Sequence, residues 1–239
     1  MSGHSHAKTV KSTKDAADAQ RSKIFSKMAG EIALSAKGGG DPTANPRLRM
    51  AIERARSFNM PMANIERAIK RGTGEEKGAA LQEVLFEGYG PGGIAVLVEG
   101  ITDNINRTLG EVKQAFEKTQ GKLAGEGAVR WMFERKGTLI LSAGNKPKED
   151  LELLCIEAGA EDLYWRNDGT LEVYTNPTAT EQLKKALEER GVLVESISLE
   201  WIPKERVVVS EQDQAATERF FAALDESEAV QGIYTNTKD

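Results

Sequence analysis

The sequence predicts an α+β protein of three domains: a basic helical N-terminal domain followed by two α/β domains, one inserted into the other. Three observations predict it. Apolar residues recur at helical spacing up to about residue 71 and at strand spacing beyond about residue 80. Residues 137–201 read as strand, helix, strand, strand, helix, strand, which is the ferredoxin-like order. The tail beyond residue 203 holds too little to fold alone, yet its helix and strand complete the strand–helix–strand of residues 84–134. The expected boundaries are 1–78 for the helical domain, 79–134 with 204–239 for the discontinuous domain, and 135–203 for the insertion.

Residues 1–13 show no hydrophobic period and read as a basic arm. A helix over 14–37 follows, with Ile24, Met28 and Ile32 on one stripe and Lys23 and Lys27 turned to solvent. Gly38-Gly39-Gly40 ends it. Pro46 suits the first turn of a second helix over 46–58, which buries Leu48, Ile52 and Ala55. A third helix over 62–71 buries Ile65, Ala68 and Ile69 and shows Arg67, Lys70 and Arg71. After a linker near 75–80 comes the turn cluster Gly88–Gly93, then a strand over 94–99. Asp103 or Asn104 caps a helix over 106–119 whose apolar face is Leu109, Val112 and Phe116. A strand over 128–134 precedes the insertion, in which Asn167-Asp168-Gly169 marks a tight hairpin. The tail reads as a strand over 206–209, a helix over 212–224 and a strand over 230–234.

A chain of 239 residues has room for two or three domains, and 39% hydrophobic residues suffice for packed cores. Cys155 is the only cysteine, which rules out an internal disulfide and fits a reducing cytoplasm. The N-terminus has no apolar core of a secretory signal, and no run of apolar residues is long enough to span a membrane. Net charge is −5, but residues 1–74 carry 14 Lys and Arg against 6 Asp and Glu, and the remainder 18 against 31. A +8 segment joined to a −13 segment suggests that one part meets a polyanion and the other avoids it.

That polyanion is expected to be nucleic acid. Lys8, Lys11 and Lys14 on the arm, and Arg21, Lys23, Lys27, Arg47, Arg49, Arg54, Arg67, Lys70 and Arg71 on the helices, supply the cations that phosphate contact requires. No helix announces a base-reading row, so backbone contacts are better supported than base contacts. Tyr89 at the glycine turn, and Asn104, Asn106, Arg107 and Thr108 at a helix start, form a second candidate surface for an anion or partner. The glycine cluster lacks the Lys-Ser/Thr of a phosphate loop and precedes a strand. His4 and His6 are the only histidines and lack further ligands, so neither a metal site nor a structured histidine acid–base is expected. Cys155 sits among Leu151, Leu154 and Ala158 as a core thiol. The expectation is a non-enzymatic protein without cofactor, membrane partner or small-molecule substrate.

Several phrases carry a family resemblance. They are Gly3-His4-Ser5; GGGDPTANPRLRMAIERARSFNMPMANIERAIKRGTG over 38–74; EGYGPGGIAVLVE over 87–99; TDNINRT over 102–108; FERKG over 133–137; and Ile202-Pro203-Lys204. In this order they resemble the YebC/PmpR family. The resemblance implies a helical N-terminal domain with two ferredoxin-like domains around a cavity, and no cofactor or catalysis. It implies a DNA-binding transcriptional regulator acting on promoter DNA. The alternative it carries is a ribosome-associated translation factor that binds ribosomal RNA or tRNA and relieves stalling. The sequence departs from the pattern after Gly3-His4-Ser5, where His6-Ala7-Lys8-Thr9 stands in place of a tryptophan-bearing basic run. An arm altered in this way is expected to hold nucleic acid more weakly or to serve a different partner.

Overall fold

The computed structural model describes residues 14–76, 78–144 and 146–238. It is a mixed α/β protein with seven α-helices and two four-stranded sheets among the described residues. Contacts divide it into two compact units, one of residues 14–128 with Ser210–Ile233, the other of Val129–Val209 with 234–238.

The first unit opens with α1 (Lys14–Ala36), α2 (Pro46–Ser57) and α3 (Met62–Thr73). Asn45 caps α2 by accepting from the Leu48 amide at 3.1 Å, and Pro46 occupies the first turn where its missing N–H costs nothing. Met28, Ile32, Leu48, Ile52, Ala55 and Ile65 form the shared interior. Because that cluster holds no residue of either sheet, we propose that the helices are a domain of their own.

The same unit contains β1 (Gln82–Tyr89), β2 (Ala95–Thr102), α4 (Ile105–Lys118), β3 (Lys122–Ala124), then α7 (Glu211–Asp225) and β8 (Val230–Thr235). Its strand order is β3-β1-β2-β8, with β1 antiparallel to both β2 and β3. The second unit is built on β4 (Phe133–Ser142), α5 (Lys148–Ala158), β5 (Asp162–Trp165), β6 (Thr170–Thr175), α6 (Thr180–Glu189) and β7 (Leu193–Pro203). Its order is β5-β6-β4-β7, the ferredoxin-like arrangement for strand–helix–strand–strand–helix–strand. The first sheet has the same spatial order once β1, its third positional strand, is taken to have moved to the front of the chain. In the second unit Leu139, Leu141, Leu151, Leu171, Val173 and Leu183 make the core.

Three expectations are corrected. Residues 128–134 are not a strand closing the first sheet; a short 3-10 turn at Arg130–Met132 leads into β4, one strand through Ser142 that pairs with β7 up to Pro203. The turn Asn-Asp-Gly punctuation that separates strands elsewhere is missing there, and Gly137 alone does not break pairing. Residues 206–209 are not a strand; Val207 makes one isolated bridge with Thr237. Leu109 is 38% exposed, because the face of α4 that packs is Thr108, Val112, Ala115 and Phe116.

Candidate nucleic-acid interface

Two helix faces meet at the most cation-rich part of the chain. On α1, Ser22, Phe25, Ser26 and Ala29 stand at i, i+3, i+4 and i+7; on α3, Asn64, Arg67, Ala68 and Arg71 repeat that spacing. The two rows line a groove of about 490 Å³, with Met60, Glu76 and Gly78 completing the lining. Phe25 packs partly into the helical core, and Met60 and Ala68 are buried, so the floor is fixed and apolar. Arg67 and Arg71 are exposed on its rim.

Close approach of α3 to α1 depends on Gly72. A Cβ there would stand 2.1 Å from the Ala33 carbonyl oxygen and 2.7 Å from the Ala36 Cβ, and backbone cannot step aside as a side chain can. Alanine at this helical position gains about 1 kcal/mol of propensity. Overpacking costs typically about 1–3 kcal/mol and more where backbone must move. Gly72→Ala is therefore expected to lower Tm by several degrees in a thermal melt. An unchanged or raised Tm would show that the α1–α3 spacing is not fixed by this contact.

Lys8 and Lys11 lie outside the described residues, and Lys14 opens α1. Arg21 is exposed. Lys23 and Lys27, expected to face solvent, turn instead to Asp225 of α7, at 3.8 and 2.6 Å. Burial lowers the Lys27 pKa, with the Asp225 hydrogen bond opposing the shift. Arg47 pairs with Glu83, Arg54 pairs with Glu31 at 3.4 Å, and Arg49 donates to the Pro42 carbonyl at 3.2 Å. Arg67, Lys70 and Arg71 are thus the cations that the fold gathers on one helix, exposed and apart from these pairings. The sequence reading missed Ser22, Ser26 and Asn64. The signal was there: a second stripe of small and polar residues beside the apolar one on α1, matched in spacing on α3.

The second candidate cluster is largely committed to structure. Asn104 caps α4 by accepting from the Arg107 amide at 3.0 Å. The Arg107 guanidinium sits 2.8 Å from Asp103 and 3.8 Å from Glu111, so its charge is already answered. Thr108 is buried against the Thr102 hydroxyl at 2.8 Å. Asn106 is exposed, and Tyr89 is 39% exposed with its hydroxyl 3.4 Å from the Ala128 carbonyl. Arg107 lines a recess with Glu111, Val112 and Ser227, and Tyr89, Asn104, Asn106 and Thr108 are not among its lining residues.

Cys155 is fully buried, and burial pushes its thiol pKa up to about 11, which suits packing and not nucleophilic attack. Among the described residues no group of three His, Cys, Asp or Glu is placed to hold a metal ion. No described helix is long and apolar enough to cross a membrane.

Comparison with known proteins covers the chain almost end to end. Residues 5–75 match the family model described as the TACO1/YebC protein N-terminal domain, and residues 81–237 match the TACO1/YebC second and third domain. A protein of Caldanaerobacter subterraneus named a probable transcriptional regulatory protein is 41% identical over 240 residues, covering 100% of this chain and 98% of that one. One of the same name from Thermotoga maritima is 46% identical over 238 residues, covering 99% and 93%. The crystal structure of a conserved hypothetical protein from Aquifex aeolicus is similar with a TM-score of 0.86 at 42% identity, covering 98% of this chain and 97% of that one.

Proposed function

This chain belongs to the TACO1/YebC family, and we propose that it is a regulatory protein that works by holding nucleic acid and catalyses no reaction. The observation that carries the proposal is the exposed row Arg67, Lys70 and Arg71 on α3, in the +8 segment of an otherwise acidic chain. Several mobile cations on one face release counterions from a phosphate backbone, which is the main source of such affinity. The relatives' names, probable transcriptional regulatory proteins, support transcriptional regulation, and with the cation row on α3 we read this as binding of promoter DNA.

A second reading has its own observation. The interface is concave between α1 and α3, whereas duplex readers insert a convex helix into the major groove. Concavity favours RNA with unpaired nucleotides, and hence a ribosome-associated factor contacting ribosomal RNA or tRNA. Crosslinking in living cells, followed by sequencing of both recovered DNA and recovered RNA, separates the two. Discrete promoter peaks establish the transcriptional reading. Enrichment of one ribosomal RNA region or of tRNA without promoter peaks establishes the other. Recovery of neither at background-exceeding levels overturns both.

A further inference from the structure

We propose that the α1–α3 groove takes one unstacked nucleotide from a single-stranded stretch of nucleic acid, an inference that rests on the nucleic-acid reading above and names its ligand. Size is the first argument. About 490 Å³ lies in the range of sites that take a small organic ligand, and an unstacked base is free to splay into such a groove where a stacked and paired one is not.

Chemistry is the second. A nucleotide offers a flat apolar face, a hydrogen-bonding edge and an anionic phosphate, and the groove answers each. Phe25 and Ala68 supply apolar wall. Ser26 and Asn64 supply a hydroxyl and a carboxamide, which together donate and accept. Arg67 supplies the cation. Glu76 is the one carboxylate in the lining, and its place beyond the C-terminus of α3 makes that end the poorer one for phosphate.

Availability is the third. Among the described residues the Ser26 hydroxyl, the Asn64 amide and the Arg67 guanidinium are not engaged by other protein groups. Arg47, Arg54 and Arg107 stand in contrast, each held by a carboxylate. Polar groups left open beside a fixed apolar floor are what single-strand recognition uses, with stacking on the floor and hydrogen bonds at the edge.

The test uses the full-length chain and three fluorescent probes of one mixed sequence: single-stranded RNA, single-stranded DNA and the DNA duplex. Ser26→Leu fills the groove at an exposed helical position, and Asn64→Ala removes the edge contact. Each is expected to weaken single-strand binding about tenfold while leaving duplex binding within about twofold, the scale of one lost base contact. A photoreactive thiouridine in the RNA probe is expected to crosslink wild-type protein to peptides of α1 and α3, a readout independent of any variant's folding. Tighter binding of RNA or of single-stranded DNA assigns the source of the nucleotide. Unchanged single-strand affinity in both variants, with crosslinks elsewhere, overturns the groove while leaving the nucleic-acid reading in place. Wild-type protein that binds none of the three probes overturns both.

Discussion

Replacing Arg67, Lys70 and Arg71 together with glutamine is expected to weaken nucleic-acid binding about ten- to a hundredfold. Each exposed pairing with phosphate contributes on the order of 0.5–1 kcal/mol, so three sum to about 1.5–3 kcal/mol, which is one to two decades in Kd. The same variant makes a second, independent expectation. If these three cations neutralise phosphates, the slope of log affinity against log salt becomes shallower by about two on single strands, at roughly 0.7 per contact. A lost affinity with an unchanged slope would mean that the substitutions act through the fold. Lys70 and Arg71 also sit in the last turn of α3, where cations favour the helix end by about 0.3–1 kcal/mol each. A thermal melt alongside the titration therefore shows a fall of a few degrees and no collapse. Equal affinity and equal slope in the variant would remove α3 from the interface altogether.

Lys27 makes the contrast instructive. In the sequence it is one more lysine of a basic segment, and nothing local distinguishes it from Lys70. The fold brings Asp225, 198 positions away, to 2.6 Å from its ammonium group. Long-range partners of this kind are invisible to spacing and composition, because helical periodicity reports which face is polar and not what that face meets. The same limit hid the groove. The stripe Ile24, Met28 and Ile32 was legible, since apolar periodicity follows from burial. The adjoining row of Ser22, Ser26 and Ala29 acquires meaning only when α3 lies along it.

Elsewhere the chain was easier to read. Proline, asparagine and glycine fix the helix ends of the N-terminal segment through local hydrogen bonding, so α2 begins at Pro46 as expected. The ferredoxin-like order of the insertion is carried by alternation and one hairpin turn, which are also local. The region between Ala128 and Ser142 is harder to read, because a 3-10 turn there gives way to one strand, Phe133–Ser142, that runs along its partner without punctuation. Pairing with β7, some 60 residues later in the chain, decides its length. Leu109 fits the spacing of Val112 and Phe116, but the packing face turns toward Thr108, whose hydroxyl donates to that of Thr102.

Phe116→Ala is expected to be the most destabilising single change in the first unit. The ring is fully buried at the meeting of α4, α7 and β1 and stands edge-on to Phe220 with centroids 4.9 Å apart. It also covers Gly88, where a Cβ would lie 2.4 Å from the ring, and approaches Gly121. The strand therefore presents bare backbone beneath the ring at Gly88, and removing the ring leaves a cavity with no side chain directly below it. Phenylalanine-to-alanine changes in such settings cost about 3–5 kcal/mol, the upper part applying where collapse is hindered. For a chain of this size that corresponds to a Tm lower by about 6–20 °C. Urea titration monitored by fluorescence should show the transition shifted to lower denaturant with its slope preserved. A shift below about 1 kcal/mol would mean that α4 and α7 close over the glycine, and that the sheet's helical cover is far more compliant than its edge-to-face packing implies.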